Sequence, residues 1–202
     1  MVSNDCLSNV VRPKQSTRRY FCVADLVIQY KAQLLSFIEY RTSAIYHAST
    51  TALERINRIQ RQFLAEVGIS EEDALLHFGL APLQTRRDIA MLGFLHRAAL
   101  RKGPVHFHGM FPFAEERRVP ARFARHALQL KDIVGPKYLE ITCRSAFGLV
   151  STYNALPREL VDNAGTVPLF QKKLQDMVKD RASRRQSGWQ SSLGPPARRR
   201  LW

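Results

Sequence analysis

The sequence predicts an all-α protein, a helical bundle of five to six helices with disordered basic termini. Three observations carry that prediction. Apolar residues recur at three- and four-residue spacing along most of residues 22–182. Residues suited to capping stand at the ends of those periodic runs. Both ends of the chain are polar and basic, with a final stretch rich in Arg, Ser, Gly and Pro.

The 202 residues are 45% hydrophobic and 24% charged, a composition that supports a packed core. Residues 1–21 form a basic lead-in, residues 22–182 the helical domain, and residues 183–202 a tail expected to lack fixed structure. From Ala24 to about Ala48 one wide apolar face is formed by Leu26, Val27, Tyr30, Leu34, Phe37, Ile38, Ile45 and Tyr46. Thr50 or Thr51 caps a second helix, and Thr51 and Glu54 have capping-box spacing. Its apolar stripe is Leu53, Ile56, Ile59 or Gln60, Phe63, Leu64 and Val67, and Gly68 stops it. Ser70 begins a short helix with Glu71, Glu72 and Asp73 in its first turn, punctuated by Gly79 and Pro82.

A long helix follows from about Leu83 to Arg101, with Ile89, Leu92, Phe94, Leu95 and Leu100 inward and Gly103-Pro104 as its stop. The pattern weakens from His106 to Gly135, where one short helix is placed at about Ala121 to Ile133. Residues 137–155 fit either a strand or a short helix. Pro157 opens a turn and helix at Arg158 to Asp162. A last helix spans about Thr166 to Ala182, with Phe170, Leu174 and Met177 or Val178 inward.

Lys and Arg number 31 against 17 Asp and Glu, so the net charge is +14 and the pI about 10.3. That excess exceeds what solubility needs and points to a polyanionic partner, nucleic acid first. Basic tails on a neutral fold are the plainer explanation; seven Lys or Arg face one Asp between Lys179 and Trp202. Arg55, Arg58 and Arg61 lie at i, i+3 and i+6, a stripe able to track a phosphate backbone or to stand as a solvated face. Arg86 and Arg87 open the next helix. Arg117, Arg118, Arg122 and Arg125 form a denser basic patch in the weakly patterned region, which reads as a solvated loop ahead of a docking surface. Arg198 to Arg200 read equally as a contact for nucleic acid or as an idle charged end.

No catalytic site is expected. A polymerase palm needs clustered carboxylates for paired magnesium ions, and the sequence has no Asp-Asp pair. Glu71, Glu72 and Asp73 sit where a helix start uses acids. The six histidines lack the paired spacing of a zinc site, and they read as surface or partly buried side chains. Cys6, Cys22 and Cys143 form no CxxC, which fits a reducing, intracellular setting (nucleus or cytoplasm). No cofactor, metal or membrane is expected; no apolar run reaches the ~18–20 residues of a span.

The order of four segments resembles one family. Leu26-Val27-Ile28-Gln29-Tyr30-Lys31, running on through Glu39-Tyr40, is similar to the thumb helix after the palm in non-LTR (long interspersed) retrotransposon reverse transcriptases. Leu53 to Leu64 resembles the next helix of that family. Ala81-Pro82-Leu83-Gln84-Thr85-Arg86-Arg87 resembles its Pro-Leu-x-x-Arg-Arg segment. Tyr153-Asn154-Ala155-Leu156-Pro157 followed by Phe170-Gln171-Lys172-Lys173-Leu174 resembles a distal Trp-Asn-x-Leu-Pro and Phe-Lys-x-x-Leu signature, with Tyr153 for Trp and Gln171 for Lys. The resemblance covers about Leu26 to Val178 and lacks fingers, palm and the metal-binding acids. It implies a region that grips template–primer duplex and holds the element's RNA.

That resemblance nominates Lys31, Arg58, Arg61, Arg86 and Arg87 as phosphate contacts, and the helical stripe adds Arg55. It makes Tyr40, Leu83, Leu156 and Phe170 core residues, with Tyr30 and Tyr153 either packed or stacked on a base or sugar. The expectation is a non-catalytic, sequence-independent binder of RNA or RNA–DNA duplex. A helical protein-interaction module and a non-functional translated remnant of a retroelement are the alternatives.

Overall fold

The computed structural model describes residues 20–114, 125–134, 138, 142 and 144–196. Every regular element among them is helical, and the only extended pairing is a one-residue antiparallel bridge between Phe113 and Leu130. The all-α expectation therefore holds. The chain divides into two compact units, Met1–Gln84 and Thr85–Trp202. The helical domain read over 22–182 spans both.

The first unit opens with α1, Val23–Tyr30. Asp25 accepts hydrogen bonds from the Cys22 backbone N–H at 3.1 Å and from its Sγ at 3.0 Å, fixing the helix start. The predicted continuous helix to Ala48 is broken. A π turn occupies Lys31–Leu35, followed by α2, Ser36–Tyr40, a break at Arg41 (φ −113°, ψ 24°), and α3, Thr42–Ile45. A π turn adds about one residue per turn and rotates everything after it. That rotation corrects two core assignments: Phe37 is 62% and Tyr40 85% exposed, while Leu35 is buried in their place.

The second predicted helix is α4, Thr50–Val67. Its cap is Ser49, whose hydroxyl accepts from the Ala52 N–H at 3.3 Å, and neither Thr50 nor Thr51 takes that role. The Thr51–Glu54 capping box is not formed, since the Glu54 carboxylate is held by Arg61 and Asn57. Gly68 ends α4 in the left-handed region (φ 81°), where a Cβ would be strained. α5, Glu71–Phe78, starts at the predicted Ser70 cap, which accepts from the Asp73 N–H at 3.0 Å, and stops at left-handed Gly79.

The core of this unit joins Leu26, Val27, Tyr30, Leu34 and Leu35 to Phe63, Leu64, Ala74, Leu80 and Leu83. Tyr30 stacks on Phe63 with ring centroids 4.3 Å apart, so the packed alternative holds for this tyrosine. Such a pair adds roughly 0.5–1.5 kcal/mol beyond its buried area.

The second unit is built on α6, Leu83–Ala99, and α10, Val167–Ser183, with shorter α7, Val105–Met110, α8, Val150–Asn154, and α9, Arg158–Val161. α6 is buried on several sides: Ile89, Met91, Leu92, Leu95, His96, Ala98 and Ala99 all lie inside. Gly93 lets the Gln171 side chain of α10 lie against the helix; a Cβ there would come within 2.4 Å of its Nε2. α10 covers the helix expected from about Thr166 to Ala182; Thr166 caps it, and it buries Phe170, Leu174 and Val178. Residues 137–155 resolve as helical where they are described: a 3-10 turn, Ala146–Leu149, leads into α8. The helix placed at 121–133 is absent from residues 125–133, which bend through the Leu130 bridge; residues 121–124 lie outside the described part.

The basic end differs from the expectation of no fixed structure. After α10 the chain turns back through a 3-10 turn, Trp189–Ser191, and buries Trp189 and Leu193. The Thr85 hydroxyl donates to the Gln190 carbonyl at 2.7 Å, and the Thr152 hydroxyl donates to the Gly194 carbonyl at 3.0 Å. Two large apolar side chains in a charged stretch are enough to anchor it. Residues 1–19, Arg117, Arg118, Arg122 and Arg198 to Arg200 lie outside the described residues.

Candidate nucleic-acid interface

The six nominated cations fall into different environments. Arg55, Arg58 and Arg61 stand exposed on α4. Arg61 pairs with Glu54, one helical repeat before it, at about half exposure for both side chains. Burial of Glu54 opposes its ionisation, but hydrogen bonds from Arg61 and Asn57, with the charges of Arg61 and Arg58, outweigh it and hold the carboxyl below its ordinary value. Arg55 and Arg58 make no hydrogen bond to another described side chain. Lys31 is half-buried, and its ammonium donates to the Phe78 carbonyl at the end of α5. Arg86 is half-buried and Arg87 is 3% exposed, beside buried Asp88. The nominated residues thus form one exposed α4 stripe, not one surface of six.

Charge divides unequally between the units. Met1–Gln84 carries 9 Lys and Arg against 8 Asp and Glu, a net of +1. Thr85–Trp202 carries 22 against 9, a net of +13. Four of the six nominated residues therefore sit in the nearly neutral unit.

Several cations of the second unit are fixed in place by main-chain oxygens. Lys102 Nζ donates to the Gly165 carbonyl at 2.7 Å, and Lys173 Nζ to those of Glu159 and Asn163 at 2.9 and 3.3 Å. Arg125 Nη1 donates to the Ala155 carbonyl at 2.9 Å, and Arg101 Nη1 to that of His108 at 3.3 Å. A carbonyl orients a cation without cancelling its charge, so these groups stay positive and retain unused donors. Ion pairs do cancel charge at Arg158–Asp162 and Arg184–Asp180, at 2.9 and 3.0 Å.

Sequence reasoning missed a polar cluster in the core of this unit. Tyr153 is fully buried, consistent with packing and not with stacking on a base. Its hydroxyl donates to His96 Nδ1 at 3.0 Å, and His96 Nε2 donates to the Ala164 carbonyl at 2.7 Å. The His96 ring stacks on Phe170 at 4.1 Å. His126 Nε2 donates to the Tyr153 carbonyl at 3.0 Å, while its Nδ1 is buried without a hydrogen-bond partner among the described residues. Burial pushes both imidazoles below their ordinary value. For His96 the Ala164 carbonyl opposes that shift, while the nearby His126 and Lys102 charges reinforce it. For His126 the Tyr153 carbonyl and Asp162 oppose it. Burial also drives the Tyr153 phenol well above its ordinary range, so it remains a donor. All hydrogen-bonding partners here are internal, which marks a structural network. The signal for it was in the sequence: His96 falls on the apolar stripe of α6, four residues after Leu92.

Among the described residues, no group of three or more His, Cys, Asp or Glu side chains is arranged to hold a metal ion. Among them too, no helix is long and apolar enough to cross a membrane. No known protein family, curated protein or solved structure matches the chain.

Proposed function

We propose that this chain is a non-catalytic nucleic-acid-binding module that contacts phosphates without base-sequence preference, chiefly through residues 85–202. The observation that carries this reading is the net +13 of that unit, with Arg101, Lys102, Arg125 and Lys173 held by carbonyl oxygens. A cation anchored that way has lost part of its conformational freedom before binding, so less entropy is lost when it meets a phosphate. The resemblance to the post-palm region of retrotransposon reverse transcriptases supports the same ligand class, RNA or an RNA–DNA duplex. The α4 stripe of Arg55, Arg58 and Arg61 is a secondary contact. Arg87 is buried, and Lys31 is engaged with Phe78, so neither is assigned to phosphate.

The test is a titration of labelled RNA–DNA hybrid at a series of salt concentrations. Wild type should lose affinity linearly in log salt. Changing Lys102, Arg125 and Lys173 to Gln should flatten that slope by about one unit for each contact removed. Changing Arg55, Arg58 and Arg61 should flatten it less. Absence of binding at low salt to hybrid, duplex and single strand alike removes the proposal.

A further inference from the structure

From Ile89 to Ala114 the sequence holds no Asp or Glu, yet it holds Arg97, Arg101, Lys102 and three histidines. The acid-free tract ends at Glu115-Glu116. Within it the structure makes a shelf. α6 closes in a turn where the Lys102 N–H donates to the Arg97 carbonyl at 3.2 Å and the Arg101 N–H to the Ala98 carbonyl at 3.0 Å. That pattern demands a left-handed residue at Arg101, and its φ is 56°. Glycine fills the equivalent place at Gly68 and Gly79. Here an arginine does, and its guanidinium lies over the Phe113 ring, 4.2 Å from the centroid.

Phe113 is fixed from below. Its strand-like segment is pinned by the Ala114 N–H to the Gln129 carbonyl at 2.9 Å and the Lys131 N–H to the Pro112 carbonyl at 2.8 Å. The preceding Phe111 is buried against Phe147, with centroids 5.1 Å apart, and edge-on to Phe94 at 5.8 Å. Phe94 in turn meets Phe107 of α7 at 5.1 Å. Phe113 itself remains 38% exposed, and Met110 at the end of α7 47%. An accessible aromatic ring capped by a guanidinium, in a tract that carries two further cations and no acid, is not explained by packing.

We propose that Phe113 and Arg101 form a stacking step for one unpaired nucleobase, with Arg97 and Lys102 taking the flanking phosphates. The ligand of this step is single-stranded nucleic acid. A duplex keeps its base faces stacked inside and has none to offer, whereas an unpaired base presents a π face that any aromatic or guanidinium plane accepts. The step rests on the nucleic-acid reading above and names its ligand.

The experiment compares a short labelled RNA single strand, carrying one 2-aminopurine, with the same sequence as duplex. Phe113→Ala should weaken single-strand binding roughly 5- to 150-fold, the equivalent of ~1–3 kcal/mol for one stacked base. It should leave duplex affinity within about twofold. Phe113→Tyr should restore the single-strand affinity and the quenching of 2-aminopurine. If the melt shows that Phe113→Ala disturbs folding, Phe113→Leu decides the matter in its place. Equal effects on both ligands, or none on either, overturn the stacking step while leaving phosphate binding intact. A wild-type chain that binds neither ligand overturns both.

Discussion

Tyr153 and His96 share a hydrogen bond of 3.0 Å that decides which nitrogen of the imidazole carries its proton. The Ala164 carbonyl can only accept, so Nε2 donates to it and Nδ1 must receive the Tyr153 hydroxyl. The imidazole is thereby neutral and doubly satisfied in a site from which water is excluded. Removing the hydroxyl leaves a buried acceptor bare. Tyr153→Phe should destabilise the chain by about 1–3 kcal/mol in urea denaturation. A loss below a few tenths of a kcal/mol would show that the bond contributes nothing.

Both buried histidines give the second unit a pH dependence of known sign. Their folded-state values lie below the ordinary imidazole value of about 6.5, so the unfolded chain binds more protons as pH falls through that value. Stability is therefore full above about 6.5 and declines as pH drops below it toward the folded-state values. The melting temperature should fall between pH 7.5 and 5.5, a window above the ordinary range of carboxylates. In His96→Gln/His126→Gln, measured by circular dichroism, that dependence should shrink. A flat profile for wild type rules out the buried neutral assignment.

Two glycines of the second unit should respond very unequally to alanine. A Cβ on Gly148 would lie 1.5 Å from the Thr142 carbonyl oxygen, which is main chain and cannot step aside cheaply. Gly148→Ala should cost about 3 kcal/mol or abolish the cooperative transition. At Gly93 the obstacle is the tip of the Gln171 side chain, which can rotate away, and alanine has a helix propensity advantage of about 1 kcal/mol. Gly93→Ala should be close to neutral. Parallel melts of the two variants check the contrast.

Arg185 ends α10 at φ 51°, as Arg101 ends α6 at φ 56°. A non-glycine residue there costs about 1–2 kcal/mol. Arg101→Gly relieves that cost but adds unfolded-state entropy and loses the contact over Phe113. It should therefore gain less than the same substitution made in a Phe113→Ala background. Equal gains in the two backgrounds in chemical denaturation would show that the ring contact has no energetic weight.

Trp189 is 6% exposed although it lies in a stretch of Arg, Ser and Gly. Trp189→Ala should lower unfolding free energy by about 3–5 kcal/mol. A change under ~1 kcal/mol would mean that this segment is not part of the cooperative unit.

What could be read in advance tracks how local the cause is. Ser70, Gly68 and Gly79 act on groups within a turn of themselves, and their sequence context suffices to place them. The phase error at Phe37 and Tyr40 arose from a π turn, which no periodicity announces because it resets the period. Lys31 and Arg87 looked like surface cations because neighbours in sequence do not show what packs over them; the Phe78 carbonyl that Lys31 meets is 47 residues away. Arg101 and Phe113 were invisible as a pair for the same reason, since the left-handed position that ends α6 is an arginine and the glycine stop lies two residues later. Trp189 and Leu193 were masked by the charge around them.

The bond from Thr85 to Gln190 joins residues 105 apart in sequence, and that from Thr152 to Gly194 closes over the same unit. Closure across so wide a separation is slow, because the intervening chain must be ordered before the contact repays it. During synthesis α6 emerges first and waits with its apolar sides bare until the Trp189 turn has left the ribosome. That interval, and not the finished fold, is where the polypeptide is most open to aggregation or to capture by chaperones.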